Sequence, residues 1–207
     1  MNSSEKAPLA ILISGRGSNM VSLVEAARQG RLGADVRLVV SNRPDAPGLE
    51  AARSLGVETA VLCHRDFPDR ESFDRALADL LESRGVRFVA LAGFMRVLTP
   101  AFLDRFPGRV VNIHPALLPS FPGVHAQRQA LEYGVRVTGC TVHFVDAGTD
   151  TGAIIAQAAV PVEDGDDEET LSARILAAEH QVYPSALEDV LKGRLRIQGR
   201  RVLRTGD

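Results

Sequence analysis

Cysteine is scarce in this chain of 207 residues, which carries only Cys63 and Cys140. The two are far apart, no CxxC pair is present, and no cysteines and histidines fall at zinc-binding spacing. Neither a disulfide framework nor a structural zinc site is therefore expected. Free thiols are typical of a reducing compartment, so the composition favours a cytoplasmic protein without a bound metal.

Long apolar runs and an excess of charge of either sign are also absent. No stretch approaches the roughly 20 apolar residues of a membrane-spanning helix. The first residues, MNSSEK, have neither the basic start nor the apolar core of a signal peptide. The formal net charge is −2, which does not indicate a general nucleic-acid or membrane surface. We expect neither kind of partner.

Apolar residues are plentiful by comparison, at 45% of the chain. That content and length predict one folded domain over residues 1–207, with no internal repeat and no interdomain linker. Residues 1–8 are expected to be a flexible extension. The basic residues 194–207 are expected to form a tail or a small hairpin.

Strand-like and helix-like segments alternate through the first half of the chain. The predicted strands are short apolar runs at residues 9–14, 36–41, 57–62, 88–92 and from 110 on. The predicted helices between them are residues 20–29, 48–55, 69–84 and 100–106. Because these strands lack alternating polarity, the pattern predicts an α/β fold with a mostly parallel sheet covered by helices on both faces.

The pattern changes after Pro115. An irregular loop at residues 116–124 precedes a helix at about 125–133, and two strands follow at 137–145 and 154–160. Their connection is too short to contain a helix, so an antiparallel strand is expected towards the C-terminal end of the sheet. A long helix over about 171–191 follows an acidic run.

The hexapeptide at residues 110–115, VVNIHP, is a candidate site. Asn112 and His114 are two residues apart, so on a strand they point to the same face. Pro115 ends the strand, and ligands in α/β proteins bind where strands end. The alternative is a turn asparagine beside a hydrogen-bonded core histidine, and the hexapeptide alone favours that alternative.

A glycine-rich turn, SGRGSN at residues 14–19, lies between the first strand and the first helix. It is not a dinucleotide fingerprint, because Met20 stands where a third glycine is needed, and it lacks the Gly-Lys-Ser/Thr of a P-loop. The backbone N–H groups of such a turn suit a single phosphate, and Ser18 and Asn19 would add side-chain donors. The alternative is a tight turn in which Ser18 caps the helix.

Acidic and histidine residues elsewhere are weaker candidates. Asp150 lies between Gly148 and Gly152 and could approach His114, where a carboxylate would raise the imidazole pKa. Its alternative is a carboxylate that serves only its own loop. Glu179 is predicted to be a surface carboxylate unless its helix faces the glycine turn. His125 is a possible site residue, whereas His143 is predicted to be structural.

Taken together, these motifs and the segment GFMR at residues 93–96 resemble the glycinamide ribonucleotide formyltransferases. The resemblance runs from Ala10 to about Arg194 and implies a Rossmann-like fold. It implies small-molecule substrates, the ribonucleotide and 10-formyltetrahydrofolate, no metal, and a monomer or homodimer. The chain departs from the family pattern by its N-terminal extension and by Arg16 inside the glycine turn, whose role is left open.

The resemblance also implies roles at matching positions. Asn112, His114 and Asp150 match the catalytic residues, and Gly17, Ser18 and Asn19 match the phosphate loop. Glu179 matches the acid that binds the ribose or glycinamide part of the substrate. The residues that match folate contacts are Arg70, Met95, Arg96, Val97, Leu98, Asn112, Asp146, Ala147, Gly148, Thr149 and Asp150.

The resulting hypothesis is formyl transfer by direct attack of the substrate amine. Asn112 and a protonated His114 would stabilise the tetrahedral oxyanion, and Asp150 would keep His114 charged. Three alternatives remain open to the sequence. A methionyl-tRNA formyltransferase would need a further RNA-binding domain. A formyltetrahydrofolate hydrolase would use water as the nucleophile. A non-catalytic folate- or phosphate-binding module would bind without turnover.

Overall fold

The computed structural model describes residues 6–205. Its strands are β1 (Ala7–Ile13), β2 (Ala34–Ser41), β3 (Thr59–Val61), β4 (Phe88–Leu91), β5 (Val110–His114), β6 (Val137–Phe144), β7 (Ile154–Pro161), β8 (Leu195–Gln198) and β9 (Arg201–Arg204). Its α-helices are α1 (Ser18–Arg28), α2 (Gly48–Ser54), α3 (Arg70–Ser83), α4 (Pro100–Leu103), α5 (Ala126–Tyr133) and α6 (Glu168–Leu191). A short 3₁₀ helix, His64–Asp66, was not predicted.

The strands of the described residues form one sheet in the order β3-β2-β1-β4-β5-β6-β7-β9-β8. Strands β1 to β5 pair in parallel, and β6 runs antiparallel to both β5 and β7. The two last strands form an antiparallel hairpin, which joins β7 through the pair Ile154 and Arg201. The predicted Rossmann-like α/β class, with a mostly parallel sheet and an antiparallel strand towards its C-terminal end, is confirmed.

Alternate residues of β1 enter two separate cores, one on each face of the sheet. Leu9, Ile11 and Ile13 pack with residues of α1 and α6. Ala10 and Leu12 pack with residues of α3 and α4. Because the strand is buried on both faces, its sequence is apolar throughout, as in other parallel sheets covered by helices. The helices on both faces are therefore as predicted.

Two helices begin at side-chain caps. Asp69 accepts a hydrogen bond from the backbone N–H of Ser72 at the start of α3. Asp167 and Thr170 form a reciprocal capping box at the start of α6. That box moves the start of α6 to Glu168, three residues before the predicted position, because an N-cap fixes where the helical hydrogen bonds begin.

The observed N-terminal boundary also differs from the prediction. Strand β1 begins at Ala7, whose N–H donates to the carbonyl of Gly33 at 2.8 Å. Residues 7 and 8 thus belong to the sheet rather than to an extension, because they pair with the start of β2. Of the rest of the predicted extension, residues 1–5 lie outside the described residues.

Candidate active site

A cleft lies where β4 and β5 end, between the segment Gly93–Leu98 and the loop that joins β6 to β7. This main cleft has a volume of about 570 Å³. Most of the predicted folate and catalytic residues line it: Met95, Arg96, Val97, Leu98, Asn112, His114, Asp146, Gly148, Thr149 and Asp150. Glu179 and Asn19 line it too. The topology thus brings together residues that are far apart in sequence.

Two predicted folate residues do not line this cleft. Arg70 is exposed at the first position of α3, and Ala147 is exposed in the loop after β6. Neither borders the main cleft, so the structure gives no support to a contact between these two side chains and a ligand there.

Asn112 and His114 project from the same face of β5, as their spacing predicts. Strand β5 pairs with β6 so that Asn112 lies opposite His143. The amide Nδ2 of Asn112 lies 3.1 Å from Nε2 of His143. Since Nδ1 of His143 lies 2.8 Å from the carbonyl of Phe144, that nitrogen carries the proton and Nε2 accepts from Asn112. The Asn112 amide is therefore held in one orientation.

Asp150 reaches His114, which the sequence left undecided. Its Oδ2 lies 3.3 Å from Nδ1 of His114, and its Oδ1 lies 3.7 Å from Nε2 of His143. The N–H of Gly123, in the loop after β5, donates to Oδ2 at 2.7 Å. The carboxylate thus serves other parts of the chain, and the alternative in which it serves only its own loop is wrong.

Both imidazole nitrogens of His114 face oxygen atoms. Nδ1 faces Asp150, and Nε2 lies 2.8 Å from the carbonyl of Phe121. Burial lowers the pKa of His114, and this outweighs the opposite effects of the Asp150 charge and the Phe121 carbonyl. Asp150 does raise this pKa, as expected, but burial disfavours the imidazolium charge by more, so the net shift of the pKa is downward.

The pKa of Asp150 is below its ordinary value. Burial raises it, but the neighbouring His143 side chain, the hydrogen bond from the Gly123 N–H and the positive charge of either histidine when protonated lower it by more. Asp150 is therefore ionised at neutral pH. The site holds a fixed negative charge beside His114, which gives up a proton more readily than an ordinary histidine.

Glu179 is buried, with 6% of its surface exposed, so the prediction of a surface carboxylate is wrong. Helix α6 packs against α1, and Nδ2 of Asn19 donates to Oε2 of Glu179 at 2.7 Å. Burial raises the pKa of Glu179 to about 7, although the bond from Asn19 opposes the shift. This group can hold or release a proton near neutral pH.

The glycine turn borders a second space, the loop cavity, of about 790 Å³. Gly17, Ser18 and Asn19 line it, together with residues that follow β2 and β3. Gly17 has φ +75°, and a Cβ there would lie 3.2 Å from the Cα of Gly48, so the positive φ and the tight contact both favour glycine. Ser18 is the first residue of α1 and makes no capping hydrogen bond, so the capping alternative is wrong.

Two further histidines, His125 and His143, line the main cleft. His143 was predicted to be structural but lines the cleft and contacts both Asn112 and Asp150. His125, at the start of α5, also borders the cleft. The place of His143 on the strand next to β5 could have indicated a role in the site. Only the pairing register of β5 and β6, however, puts His143 opposite Asn112.

Within residues 6–205, no three His, Cys, Asp or Glu side chains are grouped so that they could hold a metal ion. No helix in the same range is long and apolar enough to cross a membrane.

Comparison with known proteins identifies the family of this chain. The sequence model of the family described as formyl transferase matches residues 7–187. Phosphoribosylglycinamide formyltransferase of Escherichia coli (strain K12) is 44% identical over 189 residues, which are 91% of this chain and 89% of that protein. The chain belongs to the formyl transferase family.

Solved structures agree with this assignment. Glycinamide ribonucleotide transformylase 1 from Symbiobacterium toebii superposes on this formyl transferase with a TM-score of 0.96. The two are 50% identical, and the match covers 99% of this chain and 96% of the other. The resemblance to glycinamide ribonucleotide formyltransferases that the motifs indicated is confirmed.

Some relatives are much longer than this formyl transferase. The trifunctional purine biosynthetic protein adenosine-3 of Drosophila pseudoobscura pseudoobscura is 50% identical over 198 residues, 95% of this chain. The chain spans only 14% of the length of that protein. The matched family region, residues 7–187, contains all the predicted site residues, whereas the hairpin β8–β9 lies beyond it.

Proposed function

We propose that this formyl transferase moves the formyl group of 10-formyltetrahydrofolate to the amine of glycinamide ribonucleotide, a step of purine biosynthesis. The observation that carries the proposal is the convergence of Asn112, His114 and Asp150 on one cleft of a chain that is 44% identical to the Escherichia coli enzyme. The donor is a co-substrate, and no metal is part of the proposed reaction.

The proposed reaction needs no covalent enzyme intermediate, because an amine is already a nucleophile. Its nitrogen forms a bond to the formyl carbon, and the formyl oxygen becomes negative. Collapse of this intermediate breaks the bond to the folate nitrogen, which takes up a proton, while the attacking amine loses one. The enzyme has to stabilise the oxyanion and move these protons.

Asn112 is suited to the first task. One of its amide hydrogens is held by His143, which orients the group and leaves the second hydrogen for the oxyanion. His114 is suited to both tasks. Its Nε2–H points to the Phe121 carbonyl, so it has to exchange that carbonyl for the formyl oxygen before it can act. Asp150 then balances the imidazolium charge.

Glu179 is proposed to bind the substrate near its amine. It lines the main cleft and is buried, and its pKa of about 7 lets it accept a proton there. Beside it, Oδ1 of Asn19 is a buried acceptor to which none of the described groups donates. A substrate N–H or O–H would satisfy that oxygen.

The other expected contacts are proposals of the same kind. Gly17, Ser18 and Asn19 line the loop cavity at the start of α1 and would hold the phosphate there. Met95 to Leu98 and Asp146 to Asp150 would hold the folate. Contacts from Arg70 and Ala147, a cytoplasmic location, a single domain over residues 1–207 and a monomeric or homodimeric state stay predictions.

The test is to mix the protein with both substrates and follow the release of tetrahydrofolate, leaving out each substrate in turn. Release only when both are present supports the proposal. Release without the ribonucleotide indicates a hydrolase, and binding without release indicates a non-catalytic module.

Variants test the assigned roles. Asn112→Ala and His114→Ala should fold normally and lose activity by about 10²–10³, as for a lost oxyanion donor. Gln127→Ala on α5 would not serve as a control, because Gln127 lines the cleft. Glu132→Ala, on the exposed surface of the same helix, is the better control and should retain activity. Near-normal turnover by His114→Ala would contradict its role.

A further inference from the structure

The segment Gly93–Leu98, between β4 and α4, separates the two cavities. Gly93 and Met95 border both the main cleft and the loop cavity. Phe94 and Leu98 are buried in the core, whereas Met95 is 70% exposed. Apolar packing therefore holds the segment at Phe94 and Leu98, but the backbone at Met95 needs another support.

Ser14, at the end of β1, supplies that support. Its side chain is buried, and its Oγ accepts the backbone N–H of Met95 at 2.8 Å. Its own N–H donates to the carbonyl of Gly93 at 3.1 Å. One serine thus holds the segment through two hydrogen bonds at the point where the two cavities meet.

Asn42 fixes the direction of the Ser14 hydroxyl. The hydroxyl donates to Oδ1 of Asn42 at 2.6 Å, so its lone pairs are left for the N–H of Met95. Asn42 is itself buried at the end of β2, with Nδ2 3.3 Å from Nδ1 of His64. Buried networks of this kind hold their members in one geometry when each partner is satisfied.

The other end of the segment has its own anchor. The N–H and the hydroxyl of Thr99 both donate to Oδ2 of Asp74, each at 2.6 Å. Losing the Ser14 hydroxyl would therefore free the part of the segment near Met95, while the part near Thr99 stays in place.

We propose that Ser14, oriented by Asn42, is a positioning residue for the folate-binding edge of the main cleft. The inference rests on the proposed function, in which Met95 to Leu98 contact the folate. Backbone groups that bind a ligand lose affinity when they are no longer held in the binding geometry. Because Asn112 and His114 stand on β5 and not on this segment, the rate of the chemical step should change much less than folate binding.

The variants are Ser14→Ala, Asn42→Ala and the double variant, with Ser14→Thr as the change that keeps a hydroxyl. Thr138→Val is the matched control. Thr138 is buried in β6, and its hydroxyl has no hydrogen-bond partner among the described residues, so the control removes a buried hydroxyl without breaking such a network. Thermal unfolding establishes that each variant is folded.

Two measurements follow: the dissociation constant for tetrahydrofolate and the hydrogen-exchange rate of the Met95 amide. We expect Ser14→Ala to weaken tetrahydrofolate binding by about tenfold, the usual effect of one lost hydrogen bond. Hydrogen exchange of the Met95 amide should speed up by a similar factor. In steady-state kinetics, the increase in KM should be larger than the decrease in kcat. Ser14→Thr should recover most of the affinity, and Thr138→Val should match the wild type.

Asn42→Ala should give a smaller effect of the same kind, and the double variant should resemble Ser14→Ala alone, because Asn42 acts through Ser14. Additive effects would overturn that part of the inference. Unchanged affinity and unchanged Met95 exchange in Ser14→Ala would overturn the positioning role. If Ser14→Ala does not fold, the same measurements on Asn42→Ala decide the matter. A wild-type protein that binds no tetrahydrofolate would instead overturn the proposed function.

Discussion

Glu179 makes the stability of this protein depend on pH in a way that one substitution isolates. Its carboxyl group is buried between α6 and α1, and the pKa rises from an ordinary value of 4.5 to about 7. The cause is the loss of water around the charge, which the hydrogen bond from Asn19 only partly offsets. The folded protein therefore holds a proton that the unfolded chain has already released.

The sign of the effect follows from proton binding. Between pH 4.5 and about 7 the folded state binds more protons at Glu179 than the unfolded state does, so stability falls as the pH rises. Below this range both states are protonated, and above it both are ionised. At about 1.4 kcal/mol per pKa unit, the whole loss is on the order of 3 kcal/mol.

Glu179→Gln removes the ionisation and keeps the size of the side chain. The difference in unfolding free energy, variant minus wild type, should increase by about 2–3 kcal/mol between about pH 5 and about pH 8.5. Any cost of the new amide is independent of pH and cancels in this comparison. Urea unfolding at the two pH values measures the difference, provided that the m-value stays constant.

Glu132→Gln is the matched control, because Glu132 is exposed on α5. Its difference from the wild type should be nearly the same at both pH values. If Glu179→Gln behaves like this control, the carboxyl group ionises normally and the reasoning from its burial is refuted.

Two further predictions concern the support of the site. Gly152→Ala should destabilise the protein by about 1–3 kcal/mol and reduce activity. The reason is that the new Cβ would lie 1.7 Å from the carbonyl oxygen of Phe144, beside the Asp150 loop. An unchanged melting temperature would show that the loop adapts freely. Tyr183→Phe should cost about 1–3 kcal/mol in urea unfolding, since the buried hydroxyl lies 2.9 Å from the carbonyl of Leu91 and 3.1 Å from that of Val111. A smaller change would mean that these carbonyls need no donor.

The fold could be predicted from the sequence because its signals are local. Short apolar runs such as residues 9–13 are typical of strands buried on both faces, and glycines and prolines mark where they stop. The helix boundaries follow less directly from the sequence: α6 begins at its capping box, which the apolar periodicity does not reveal.

The site could be predicted only in part, and the failures have a common cause. The positions of Asn112 and His114 follow from the period of a strand. The burial of Glu179 and the place of His143 depend instead on how α6 packs on α1 and on the register between β5 and β6. Neither this helix packing nor this strand register can be predicted from a short stretch of sequence.

By itself, the sequence determined the order of strands and helices, the turn at Gly17 and the face shared by Asn112 and His114, because each depends on backbone geometry over a few residues. Only the tertiary structure decided the contact of Asp150 with His114 and the raised pKa of the buried Glu179 carboxyl group. Those properties depend on distance and on the exclusion of water, and both arise when distant segments of the chain pack together.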